Sequence, residues 1–181
     1  MMLGALDWLP ALDHRHLLSP PTAAALAGWD HPAVRTDVRV AEIDPDLADT
    51  AALTAAYDLP LDASANCVLV AGRRAGEERI AAAVVLATTR ADVNAAIKRL
   101  LDVRKASFLP VDRAVEESSM EYGGITPIGL PAQWRILVDS RVAATDHVIV
   151  GSGVRRSKIT LPGALLASLP GAEVVEGLAL G

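Results

Sequence analysis

The chain has 181 residues, a formal net charge of −5, and 51% hydrophobic but only 3% aromatic residues. That length suits one domain with a sizeable core, built from small aliphatic side chains, and the acidic balance argues against a sequence-blind grip on nucleic acid through overall charge. No apolar run reaches the length of a membrane span, the start "MMLGALDWLPALDHRH" lacks the plan of a secretory signal, and the single cysteine, Cys67, permits no internal disulfide. A cytoplasmic location is expected.

In chain order, residues 1–36 read as an N-terminal extension packing on the domain, with "LSPPTAAALAGW" offering two prolines and Thr22 before a short alanine-rich helix. The main domain, residues 37–181, opens with "DVRVAEID", which alternates like an edge strand, and "DPDLADTAALTAAYDLP", which reads as a helix ending before Pro60. "NCVLVAG" and "ERIAAAVVLATT" flank a charged, glycine-containing connection and predict a hairpin of two central strands. The clearest helix is "TTRADVNAAIKRLLDV": Val93, Ala96, Ile97, Leu100 and Leu101 share one face, and Thr89 and Asp92 have the spacing of a reciprocal N-terminal cap. A further helix is expected from Pro110 to about Ser118. Strands follow in "WRILVDS" and "DHVIVGSG", then a short helix in "PGALLASLPG" and a strand in "AEVVEGL". Without regular strand-helix alternation, the pattern points to a mixed sheet in an α+β domain.

Three segments carry chemistry. In "MEYGGITPIGLP", Gly123 and Gly124 permit unusual backbone angles while Pro127 holds Thr126 extended, so a stiff loop with exposed amides is expected. Such amides can donate to a carbonyl or a developing oxyanion with little reorganisation, and a Cβ added at Gly124 is expected to obstruct the approaching ligand at little cost in stability. Chain punctuation is the plainer reading of this segment. In "VIVGSGVRRSK", a strand runs into Gly151, Ser152 and Gly153 and then Arg155, small residues beside cations of the kind that meet a phosphate. Neither a Walker loop nor a dinucleotide fingerprint is complete there, and a solvated turn is the competing reading. Asp139 ends a strand, where a carboxylate braces a loop or caps a helix.

Other candidates are weaker. His14 and His16 lack companions for a metal site; Cys67 reads as a small core residue, since no histidine lies nearby in sequence. Glu116, Glu117 and Glu121 read as a solvated helix end, with Glu121 near enough to the glycine loop to orient water.

Together, "KASFLP…VEESSMEYGGITPIGLPAQWRILVDS…HVIVGSGVRRSKITL" resembles the YbaK/EbsC family of aminoacyl-tRNA editing domains over roughly residues 37–178. Residues 123–127 match that family's Gly-x-x-x-Pro loop, Asp139 its strand-end acid, and Gly151, Ser152, Gly153 and Arg155 its Ser-Gly-Gly-Lys-Arg-like turn, with Val154 where lysine is usual. The resemblance implies a mixed, partly barrel-like sheet with flanking helices, and metal-independent, cofactor-free hydrolysis of the ester on a mischarged tRNA, with the aminoacyl-tRNA 3′ end and an aminoacyl-tRNA synthetase as partners. It implies catalytic roles for Gly123, Gly124 and the residue at position 66, and substrate contacts from Ile125, Thr126, Pro127, Asp139, Gly151, Ser152, Gly153 and Arg155. The family's early-strand lysine, which binds near the ester and phosphate, is replaced by Asn66 in "ANCVLV". Asparagine supplies hydrogen bonds and no charge, so the alternative is a catalytically weak module binding an aminoacyl-tRNA end or a synthetase. The Cys67 side chain is expected on the face opposite Asn66.

Overall fold

The computed structural model describes residues 3–181. Its centre is a five-stranded mixed sheet in the order β10 (Ala172–Val175), β7 (Arg135–Asp139), β4 (Glu77–Leu86), β3 (Ala65–Arg74) and β6 (Ala106–Phe108). The predicted hairpin is present: β3 (Ala65–Arg74) and β4 (Glu77–Leu86) pair antiparallel along their whole length, turning through Ala75 and Gly76, both at positive φ, the conformation tight hairpins use. Ala81, Ala82 and Ala83 of β4 are fully buried, the mark of a central strand covered on both faces. Here β7 (Arg135–Asp139) and β10 (Ala172–Val175) add in parallel, and β6 (Ala106–Phe108) adds antiparallel to β3.

The second sheet has the order β1-β2-β9-β8, from β1 (Leu9–Pro10), β2 (Arg39–Glu42), β8 (Val148–Gly151) and β9 (Ser157–Leu161). The segment "DVRVAEID" therefore forms a strand inside this sheet rather than at its edge, because β1 covers its outer side. One bridge, Ser64 to Ile149, joins the two sheets. Neither closes into a barrel; a two-stranded ribbon of β5 (Arg90–Ala91) and β11 (Ala179–Leu180) completes the set. The architecture is the expected α+β class.

Helices fill the faces. The segment from Val93 to Leu101, a π-turn running into α4 (Lys98–Leu101), lays Val93, Ile97 and Leu101 on Val70, Ala83 and Leu137. (The α-helices before it are α1, Pro20–Gly28; α2, Pro32–Asp37; and α3, Thr50–Tyr57.) Its cap differs from expectation: Asp92 alone accepts from the Ala95 and Ala96 amides, while the Thr89 hydroxyl donates to Leu86 O, because Arg90 and Ala91 are drawn into β5. On the opposite face, α5 (Val111–Ser118) contributes Ala114 to a cluster with Leu69, Ile80, Ala82, Leu109 and Trp134. Two short helices, α6 (Ser140–Ala143) and α7 (Gly163–Ala167), follow β7 and β9. The N-terminal segment packs into the largest core cluster, where Leu17, Leu18, Leu26, Trp29 and Val34 join Val148, Val150, Ile159 and Leu161 of β8 and β9. Among the described residues, no helix is long and apolar enough to cross a membrane.

Candidate functional site

The glycine loop is stiff for a reason the sequence leaves open: it is pinned to the β8–β9 turn. The Glu121 amide donates to Gly153 O (2.9 Å) and the Gly153 amide donates to Gly124 O (2.7 Å). Contact is so close that glycine is obligatory on both sides. A Cβ on Gly151 would stand 2.5 Å from Gly124 O and 2.6 Å from Ile125 O, and one on Gly124 would stand 2.5 Å from Val154 O. The Gly124 substituent thus points at the turn's backbone and not into a ligand's path. The Gly124 amide is also engaged, donating to Glu121 O at 2.9 Å. Within residues 123–127, the amides of Gly123, Ile125 and Thr126 have no protein acceptor among the described residues, and of these residues Gly123 and Ile125 line the adjoining cleft.

Between this loop, the start of β3 and the start of α3 lies a cleft of about 440 Å³. Of the sequence-predicted residues, Asn66, Gly123, Ile125, Gly151 and Arg155 line it. Asn66 sits exposed at the rim, its Oδ1 accepting from Thr50 Oγ1 at 3.1 Å. Arg155 crosses from the turn to the far wall: its guanidinium donates to Tyr122 O (3.1 Å) and Pro45 O (2.9 Å) and lies 5.9 Å from the Tyr122 ring centroid.

The remaining predicted residues stand elsewhere. Gly124 and Gly153 form the pinned framework behind the cleft, and Ser152 is fully buried, its hydroxyl donating to Ser157 O at 3.1 Å. Thr126 is fully buried, and its hydroxyl has no partner among the described residues. Pro127 lines a separate, largely apolar groove with Trp29, Leu130 and Trp134. Asp139 does not line the cleft. It caps α6 through the Arg141 amide (2.9 Å), pairs with the Arg141 guanidinium (2.9 Å) and accepts from the Ala179 amide at 3.1 Å. Burial pushes its pKa up, but these hydrogen bonds and the Arg141 charge outweigh burial and hold the carboxyl below its usual range.

Of the lining residues that were not assigned to the site from sequence, two bear most directly on its chemistry. Cys67 lines the cleft and shares with Ile125 a contact to the cluster around Leu69 and Ala82; strand alternation does set it opposite Asn66, yet its face is the one the glycine loop covers. Burial pushes its thiol up to about 12, so it stays neutral and is no thiolate nucleophile. The other is Lys158 on β9, 8% exposed, with Nζ 3.4 Å from Gly123 O. Its register neighbours are Gly151 on β8 and Ala41 on β2, small residues that leave room for a long side chain. Burial, aided by the Arg155 charge and opposed by Asp49, lowers its pKa to about 8.

Histidines 14 and 16 lie 6.0 Å apart in the N-terminal segment, and the described residues contain no group of three or more metal-ligating side chains.

The sequence profile of the aminoacyl-tRNA editing domain matches residues 44–169, well over half the chain. No curated protein sequence matches. Among solved structures, a proposed trans-editing enzyme for prolyl-tRNA synthetase is 20% identical with a TM-score of 0.72, over 91% of this chain and 99% of that one. The hypothetical protein APE2540 is also 20% identical, with a TM-score of 0.69 over 79% of this chain and 91% of that one. At such identities these structures speak for the fold alone. The profile match settles the family, and the chain belongs to the aminoacyl-tRNA editing domain family.

Proposed function

We propose that the chain is a free-standing cytoplasmic aminoacyl-tRNA deacylase, which hydrolyses the ester between a wrongly attached amino acid and the terminal ribose of a tRNA without a metal ion. The observation that carries this reading is one cleft, in a chain of the editing family, lined by Asn66, Gly151, Arg155 and by Gly123 and Ile125, whose amides have no protein acceptor among the described residues. Its volume of about 440 Å³ lies within the roughly 300–1,000 Å³ of small-ligand sites.

In this reading the Gly123 and Ile125 amides donate to the ester carbonyl. Because the loop is already pinned to the β8–β9 turn, they need not reorganise as that oxygen gains charge. Water attacks the carbonyl carbon, the bond to the ribose oxygen breaks, and the ribose oxygen takes up a proton. The Asn66 amide, held at the rim by Thr50, serves a ribose hydroxyl. A neutral Cys67 leaves the water route rather than an acyl-thioester. Editing of this kind removes amino acids that a synthetase pocket cannot exclude by size, so the synthetase is the partner whose errors the chain clears in trans.

The test is incubation of the purified chain with a panel of mischarged and correctly charged tRNAs. Faster ester loss from at least one mischarged species than from its correctly charged counterpart is expected. Retained tRNA binding without turnover anywhere in the panel would contradict it and mark the chain as a binding module.

A further inference from the structure

Two cations share the cleft and neither is in an ion pair among the described residues. Lys158 is almost fully buried, yet its ammonium meets only the Gly123 carbonyl, at the outer limit of hydrogen bonding. Arg155 donates only to the backbone carbonyls of Tyr122 and Pro45, leaving other guanidinium N–H groups available. A cation withdrawn from water is expected to be paired or strongly hydrogen-bonded, and here a second positive charge stands beside it instead. The nearest carboxylate influence, Asp49, is occupied at the start of α3, where its Oδ1 accepts from the Ala51 amide at 3.4 Å. Asp49 is the only carboxylate among the residues that line the cleft, against Lys158 and Arg155, so the cleft keeps an excess of positive charge that an anionic ligand would offset.

We propose that Lys158 and Arg155 form an anion subsite within the cleft, which takes the phosphodiester of the substrate's terminal nucleotide. This rests on the deacylase reading. Charge-assisted bonds from both walls, one from β9 and one from the β8–β9 turn, would fix the terminal nucleotide against the glycine loop. Their position also explains how the site works with Asn66 on β3: the positive charge enters from β9, through the space above Gly151. The α-ammonium of an attached amino acid would be repelled by the pair and must face away from it.

The test compares two non-hydrolysable mimics, 3′-deoxy-3′-(alanylamino)adenosine and its 5′-monophosphate, by calorimetric titration at pH 7. The phosphorylated mimic is expected to bind about tenfold to a hundredfold more tightly. That ratio should fall towards one in Lys158→Met, persist in large part in Lys158→Arg, and shrink in the wild type between pH 7 and pH 9. The charged groups facing Lys158 are Arg155 on the turn and Asp49 at α3, while the Cys67 thiol on β3 is neutral in that range. Equal binding of the two mimics by the wild-type chain would overturn the subsite and leave the deacylase reading standing. A full phosphate advantage in Lys158→Met would overturn the role of Lys158. Failure of both mimics to bind would overturn both readings together.

Discussion

Removal of residues 1–36 is expected to abolish cooperative folding, although the family profile begins only at residue 44. Leu17, Leu18, Leu26, Trp29 and Val34 are buried against β8 and β9. At about 1.5–3 kcal/mol for each such side chain, their loss would forfeit on the order of 8–15 kcal/mol. A whole domain is stable by about 5–15 kcal/mol. The segment also buttresses the turn that holds the glycine loop. The Ser19 amide donates to Ser152 O (3.1 Å), the Thr22 hydroxyl donates to Ile128 O (2.9 Å), and the Ser157 hydroxyl donates to Leu17 O. Circular dichroism and a urea titration of the shortened chain check this. A truncated chain that unfolds cooperatively at the full-length midpoint would show that the segment is dispensable.

Gly124→Ala is expected to destabilise the protein by about 1–3 kcal/mol, the usual cost of forcing an extra carbon into close packing, and to lower deacylation by more than the loss of folded protein explains. The added Cβ would stand 2.5–2.8 Å from the O, C and N atoms of Val154. Backbone cannot swing aside as a side-chain tip can, so the loop must separate from the turn. The bonds from Glu121 to Gly153 and from Gly153 to Gly124 would then weaken, releasing the Gly123 and Ile125 amides from their positions. A lowered urea midpoint with reduced turnover is the predicted pair of results. Unchanged stability with reduced turnover would mean that the Cβ meets substrate instead.

Local signals made much of this fold legible. The β3–β4 hairpin follows from two apolar runs around a glycine turn, and the Val93–Leu101 segment from its one-sided periodicity. Elements set by distant partners were not legible. Two residues, Leu9 and Pro10, are too few to show a strand pattern, so β2 looked like an edge. Arg90 and Ala91 pair with a strand that begins at Ala179, which takes Thr89 away from the cap. Strand β9 was hidden because "RRSK" has the composition of a solvated turn, although Ser157, Lys158, Ile159, Thr160 and Leu161 are all buried. The site suffers the same limit. Alternation put Asn66 and Cys67 on opposite faces of β3, but only the packing of Ile125 shows which face the loop covers. Lys158 could not be read as a lining residue, since its path into the cleft depends on Gly151 and Ala41 being its neighbours in space.

The most direct measurement is an amide chemical-shift map of the full chain titrated with 3′-deoxy-3′-(alanylamino)adenosine 5′-monophosphate. If the acyl end is held between the glycine loop and β3, the largest changes will fall on Gly123, Ile125, Asn66 and Gly151, with smaller ones across Trp29 and Trp134. Changes centred on the Trp29–Trp134 groove, with the glycine loop silent, would contradict that placement of the site.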